Sequence, residues 1–185
     1  MKALFAQLRS HPSTRLRVAG LQAGLADGDE RVLSAAQPEL ANLPPFLAAA
    51  LVEEIQYRFT STKPQAVAQL GQLTMNRATA PRLRLASAVA LARVHTNDAV
   101  PYLAGLLDDP DPQLRAMAVG GLAKFANNVA TDGHHPQPGD WKYRTDETMR
   151  NSAMDERLIR ENPAILSFWK AWWAEHRAEL DRAAP

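Results

Sequence analysis

Apolar residues recur at three- and four-residue spacings along most of the chain, the period of an amphipathic helix. The alternating β-branched and aromatic runs that mark strands are missing. Short apolar-periodic segments fall around residues 2–9, 29–36, 64–75 and 98–107, and each is followed by a second, more uniformly apolar one. Prolines punctuate this pattern: Pro45, Pro64, Pro81, Pro112 and Pro163 stand where a helix begins. Proline suits the first turn because the amide hydrogen it lacks has no helical acceptor there. Asp111 and Asn162 each precede one of these prolines and predict side-chain caps.

The second segments are copies of one another. PRLRLASAVAL (81–91) aligns with PQLRAMAVGGL (112–122) at a spacing of 31. TRLRVAGLQAG (14–24) shares Leu-Arg-apolar-Ala with the first, and PFLAAALVEEI (45–55) keeps the leucine and the small residues. The anchors Leu16, Leu47, Leu83 and Leu114 are 31, 36 and 31 residues apart. Four helix–turn–helix units of that length predict a two-helix solenoid repeat. The expected fold is all-α: eight repeat helices over residues 1–126, forming a short α-solenoid, and two tail helices within 127–185.

DAVPYLAGLLDDPDPQLRAMAVGGLAKF (98–125) resembles a HEAT repeat, of the bacterial type also found in phycobilin lyases. The resemblance rests on Pro101, the turn from Asp108 to Pro112, Arg115 and the Ala/Gly face of the second helix. It is good in the third unit, moderate in the first and poor in the second, and covers residues 1–126. It implies a fold more than a function, because HEAT-like arrays serve scaffolds, adaptors, lyases and glycosylases.

Arg17, Arg84 and Arg115 follow the anchor leucine in three units. An anion-binding ladder is one reading. The favoured one, implied by the resemblance, is structural: each pairs with turn carboxylates or helix-end carbonyls between stacked repeats. Asp108, Asp109 and Asp111 are read as helix caps favoured by the helix dipole, not as a cation loop.

At 100° per residue, positions −1, +3, +6 and +10 from each anchor form one strip. It is the most polar strip of the second helices, which in the resembled family line the concave face. It runs through Arg15 and Gln22; Phe46, Glu53 and Tyr57; Arg82 and Arg93; and Gln113 and Lys124. These nine residues are the candidate groove for a protein partner, with Tyr57 as an anchor.

Residues 127–185 hold all four tryptophans. After a Gly/Pro/Asp/Asn-rich loop, one helix is expected at 146–160 and another from Pro163. Phe168, Trp169, Trp172 and Trp173 share an apolar arc on that last helix with Ile165, Leu166, His176 and Leu180. So large an apolar face demands burial, at about 2 kcal/mol per large side chain. The expected role is a cap folded over the fourth unit, since solenoids need their last repeat covered. An aromatic cage and a dimer surface are the rivals.

The chain's 185 residues carry a net charge of +1, which gives no global pull toward nucleic acid or anionic lipid. No run reaches the roughly 18 apolar residues of a membrane span, and the N-terminal stretch lacks a signal-peptide core. A cytoplasmic location is expected, with the periplasm left to a processed or truncated chain. Without cysteine there is no thiolate nucleophile, disulfide or Cys-based zinc site. His134, His135 and Asp140 are the one cluster of metal-ligand types, but they sit together in a loop without the convergent spacing of a metal site. No metal or cofactor is therefore expected. Phosphate-binding glycine loops, nucleophile elbows and His-Glu-x-x-His are all missing.

The favoured reading is accordingly a non-enzymatic scaffold or adaptor binding a protein segment on its concave strip. The rival is a nucleic-acid-binding protein resembling the alkylpurine DNA glycosylases. Arg15, Arg82, Arg93 and Lys124 are few cations for tracking phosphates, and Glu53 lies among them.

Overall fold

The computed structural model describes residues 2–29, 31–94, 96–126 and 163–183. The described residues are helical with turns, and no strand occurs among them. Four helix pairs are present: α1 (Lys2–Arg9) with α2 (Thr14–Ala26), α3 (Arg31–Leu40) with α4 (Pro45–Tyr57), α5 (Pro64–Met75) with α6 (Pro81–Arg93), and α7 (Val100–Gly105) with α8 (Pro112–Ala126). Helix α7 is flanked by the 3-10 turns Asn97–Ala99 and Leu106–Asp108, which together fill the span of a first helix. The last described helix is α9, Ala164–Ala183. The tail helix expected at 146–160, His134, His135, Asp140 and the cap residue Asn162 lie outside the described residues.

Residues 1–90 and 91–185 form two compact units. In the first, α1 packs on α2, α2 on α3 and α3 on α4. Helix α2 also touches α4, and α3 touches α5, so second helices meet second helices and first helices meet first. That like-on-like neighbourhood is how a repeat array extends one core from pair to pair. Leu21, Leu25, Val32, Leu33, Leu51, Ile55, Phe59 and Leu70 are buried in it. Gly28 ends α2 with φ of +69°, a left-handed conformation that favours glycine. Its N–H donates to the Leu25 carbonyl, and Asp29 N–H donates to the Gly24 carbonyl at 2.9 Å. Those bonds make a Schellman stop and turn the chain into α3.

In the second unit, α7, α8 and the turn Leu106–Asp108 surround Leu103, Leu106, Leu107, Leu114, Val119 and Leu122, all buried. Helix α9 packs on α7, on that turn and on α8. At Gly121, α8 lies close against its neighbours. A Cβ there would stand 2.8 Å from Leu103 Cδ1 and 3.0 Å from Ala92 Cα.

Prolines 45, 64, 81 and 112 are the first residues of α4, α5, α6 and α8, and Pro101 is the second of α7. Helix α3 runs four residues past its expected end, through Pro38. Proline there costs one hydrogen bond near the C-terminus, and Asn42 Nδ2 steadies the end by donating to the Pro38 carbonyl at 3.2 Å. The anchor leucines are not equivalent. Leu83 and Leu114 are buried, Leu47 is half-buried, and Leu16 is 40% exposed. In α2 the inward face is instead Val18, Leu21 and Leu25 with Gly20 and Gly24. Gly20 and Gly24 lie one and two turns along from Leu16 on the same side of α2, and it is there that α1 and α3 come close.

Candidate functional site

The turn of the fourth pair is built by side chains gripping main chain. Asp109 Oδ1 accepts the Asp111 N–H at 2.9 Å, and Asp111 Oδ1 accepts the Gln113 N–H at 2.9 Å. The second bond is an N-cap on α8. Arg115 Nη1 donates to the Asp109 and Pro110 carbonyls at 2.6 and 3.0 Å. Arg84 Nε donates to the Thr74 carbonyl at 2.7 Å, at the end of α5. Arg17 Nη1 donates to the His11 and Pro12 carbonyls at 3.2 and 3.1 Å.

Each arginine therefore reaches back from the first turn of a second helix to carbonyls at or just beyond the end of the first. Such carbonyls lack helical donors, and a cation there also meets the negative end of the helix dipole. These carbonyl acceptors lie within the arginine's own pair, where bonds between stacked repeats were expected. A link across pairs comes from Arg17 Nε, which is 3.4 Å from Glu39 Oε1 on α3.

The strip positions have different exposures along the chain. In the first unit Arg15, Phe46, Glu53, Tyr57 and Arg82 are exposed. Gln22 is half-buried, and its Nε2 donates to the Ala50 carbonyl of α4 at 3.4 Å. In the second unit Gln113 is exposed, while Arg93 and Lys124 are half-buried beside a small pocket lined also by Thr96, Leu103 and Phe125. Burial lowers the Lys124 pKa from its ordinary value, and the positive charge of Arg93 lowers it further. Phe46 and Tyr57 are 62% and 60% exposed. Eleven residues separate them, so they share one face of α4 at about 16 Å along its axis.

A family model for HEAT repeats matches residues 67–132, which run from within α5 to beyond the end of α8. Residues 67–132 carry HEAT repeats. No curated protein and no solved structure matches it. The HEAT repeats form a helical-repeat scaffold, and none of the described helices is long and apolar enough to cross a membrane. Among the described residues no three His, Asp or Glu side chains converge as metal ligands.

On α9, Trp169 and Ile165 are buried, and Phe168, Trp172 and Trp173 are half-buried. Phe168 and Trp169 meet edge-on, with ring centroids 5.1 Å apart, and Trp172 stacks on His176 at 4.7 Å. Lys170 Nζ pairs with Asp108 of the preceding turn. The arc of Trp169, Trp172 and Trp173 was expected to be mostly buried as a cap, but among the described residues of α9 only Ile165 and Trp169 are deeply buried. The helix runs on for 14 residues beyond Trp169, and between Trp173 and Leu180 the residues are exposed except the half-buried His176.

A groove between α3 and α5, lined by Ser34, Gln37, Gln69, Gln72, Leu73, Asn76 and Thr79, was not anticipated. Its one advance signal is the pair of glutamines three residues apart on α5, which face one side of a helix.

Proposed function

We propose that this protein is a HEAT-repeat interaction module that binds a protein segment on the strip of its second helices, with Phe46 and Tyr57 as apolar anchors. The observation that carries the reading is their exposure, at 62% and 60%, on one face of α4. Large rings left in water at matched spacing are candidate interface anchors, because aromatic side chains dominate binding energy where they insert into a partner. Glu53, exposed between them, offers a charge to a basic residue of the segment. Arg15 and Arg82, exposed on the same strip positions of α2 and α6, offer the opposite charge. Mixed signs fit a peptide better than a phosphate backbone.

The test places a photoreactive phenylalanine analogue at Tyr57 and, as a control, at Gln65, an exposed residue of α5. Irradiation in extract of the source cells is expected to give a defined adduct from position 57 that the control does not give. Phe46→Ala should abolish that adduct while changing stability by no more than about 0.5 kcal/mol. An adduct indifferent to Phe46→Ala, or shared with the control, overturns the reading.

A further inference from the structure

We propose that the groove between α3 and α5 binds a neutral polyol of monosaccharide size. It lies among the first helices, on residues that the strip does not use. Ser34 and Gln37 come from α3, Gln69, Gln72 and Leu73 from α5, and Asn76 and Thr79 from the turn that follows. Six of these seven side chains are amides or hydroxyls, and none ionises. A phosphate or carboxylate would shed water here without meeting a cation, and an ammonium group without meeting a carboxylate, so charged ligands are disfavoured.

The groove is also short of hydrogen-bond partners. Thr79 is only 2% exposed, and its Oγ1 has no partner. Gln69 Oε1 is likewise buried and unpaired. Leaving such atoms unsatisfied costs about 1–3 kcal/mol each, so they mark where donors belong. Pro38, lacking an N–H, also withdraws the helical donor from the Ser34 carbonyl at the groove's other side. Asn76 Oδ1 is already occupied by the Ala78 N–H at 2.9 Å, which leaves its amide hydrogens to donate.

A hydroxyl group both donates and accepts, so a polyol answers this mixed set where an apolar ligand would leave it unpaired. Size fixes the scale. The groove has a volume of about 190 Å³, smaller than the roughly 300–1,000 Å³ of drug-sized sites, which limits the ligand to a single small ring. Its α5 wall, from Gln69 to Leu73, spans about 6 Å. No aromatic ring lines it, so there is no stacking platform and binding is weak and set by hydrogen bonds.

The experiment titrates the full chain with glucose and with myo-inositol, following the side-chain amide resonances of Gln69, Gln72 and Asn76. Gluconate and glucosamine serve as charged relatives. Saturable shifts are expected with the neutral probes, at dissociation constants about tenfold below those of the charged ones. Gln69→Leu and Thr79→Val should each abolish saturation. If either variant fails to fold, Gln72→Leu, at an exposed position, takes its place and should weaken binding in the same way. Shifts that rise linearly with concentration, or equal responses in the wild type and a folded variant, would show that the groove holds ordered water only and overturn the proposal.

Discussion

Arg115 Nη1 donates to the Asp109 carbonyl at 2.6 Å, and so ties the first turn of α8 to the turn that precedes it. Asp109 is itself buried, and its carboxylate shapes that turn by accepting the Asp111 N–H. Arg115→Ala removes two hydrogen bonds to carbonyls of the turn. The expected loss is on the order of 1–3 kcal/mol in urea unfolding. Arg115→Lys should recover only part of it, because a single ammonium does not reproduce the guanidinium fork. An alanine variant as stable as the wild type would remove the arginine from the structural role argued here.

Gly121 gives a sharper test of packing. An added methyl meets the Ala92 backbone at 3.0 Å as well as the Leu103 side chain at 2.8 Å, and backbone does not yield cheaply. Gly121→Ala should therefore destabilise, by roughly 1–3 kcal/mol, even though alanine is the better helix former. If helix propensity dominated, the variant would melt higher than the wild type.

The helix starts were legible because their signals are local. A proline in the first turn and an aspartate before it act through one or two bonds, as Asp111 does on Gln113. Which side of a helix turns inward was less legible. Leu16 matches Leu83 and Leu114 in sequence, yet it is 40% exposed, while Gly20 and Gly24, one and two turns along the same side of α2, are buried against α1 and α3. The same limit applies to the strip. Arg15, Phe46, Arg82 and Gln113 are exposed at its leading edge, whereas Ala86 and Gly120 farther along are buried, since periodicity gives an angle but not the neighbours that cover it. The α3–α5 groove is assembled from residues up to 45 positions apart, and no local pattern announces such a meeting.

Asp29 makes acid stability a test of the α1–α3 junction. Its carboxylate accepts from Arg31 Nε and Nη2 at 2.9 and 3.0 Å and lies 3.4 Å from Arg9 Nη1. The Arg31 hydrogen bond, chiefly, holds its pKa below the ordinary 3.8, against an opposing contribution from burial. A carboxylate depressed in the folded state contributes stability above its unfolded pKa and loses it as pH falls through the folded one. Asp29→Asn should thus be less stable than the wild type at pH 7. Their unfolding midpoints should converge only as pH drops below about 4. A difference that stays constant from pH 7 to pH 2 would show that the charge plays no part.

The tail helix makes the last prediction, because its aromatic residues are unequally covered. Trp169 is fully buried against the last pair, within reach of α7 and α8, while Trp173, one turn on, is half-exposed. If α9 is held by its first turns, the two tryptophans should differ in cost although they are chemically identical. Trp169→Ala should lose about 3–5 kcal/mol, the range for emptying a core site of that size. Trp173→Ala should lose roughly half of that or less, in proportion to the smaller area withdrawn from water. The Lys170–Asp108 pair, exposed on both sides, should contribute less than about 1 kcal/mol, so Lys170→Ala stays close to the wild type. Chemical denaturation monitored by tryptophan fluorescence and by circular dichroism would rank the three. Equal costs at 169 and 173 would mean that α9 is clamped along both turns. A greater cost at 173 would place the main contact of the helix beyond its first turns and end the anchoring argument.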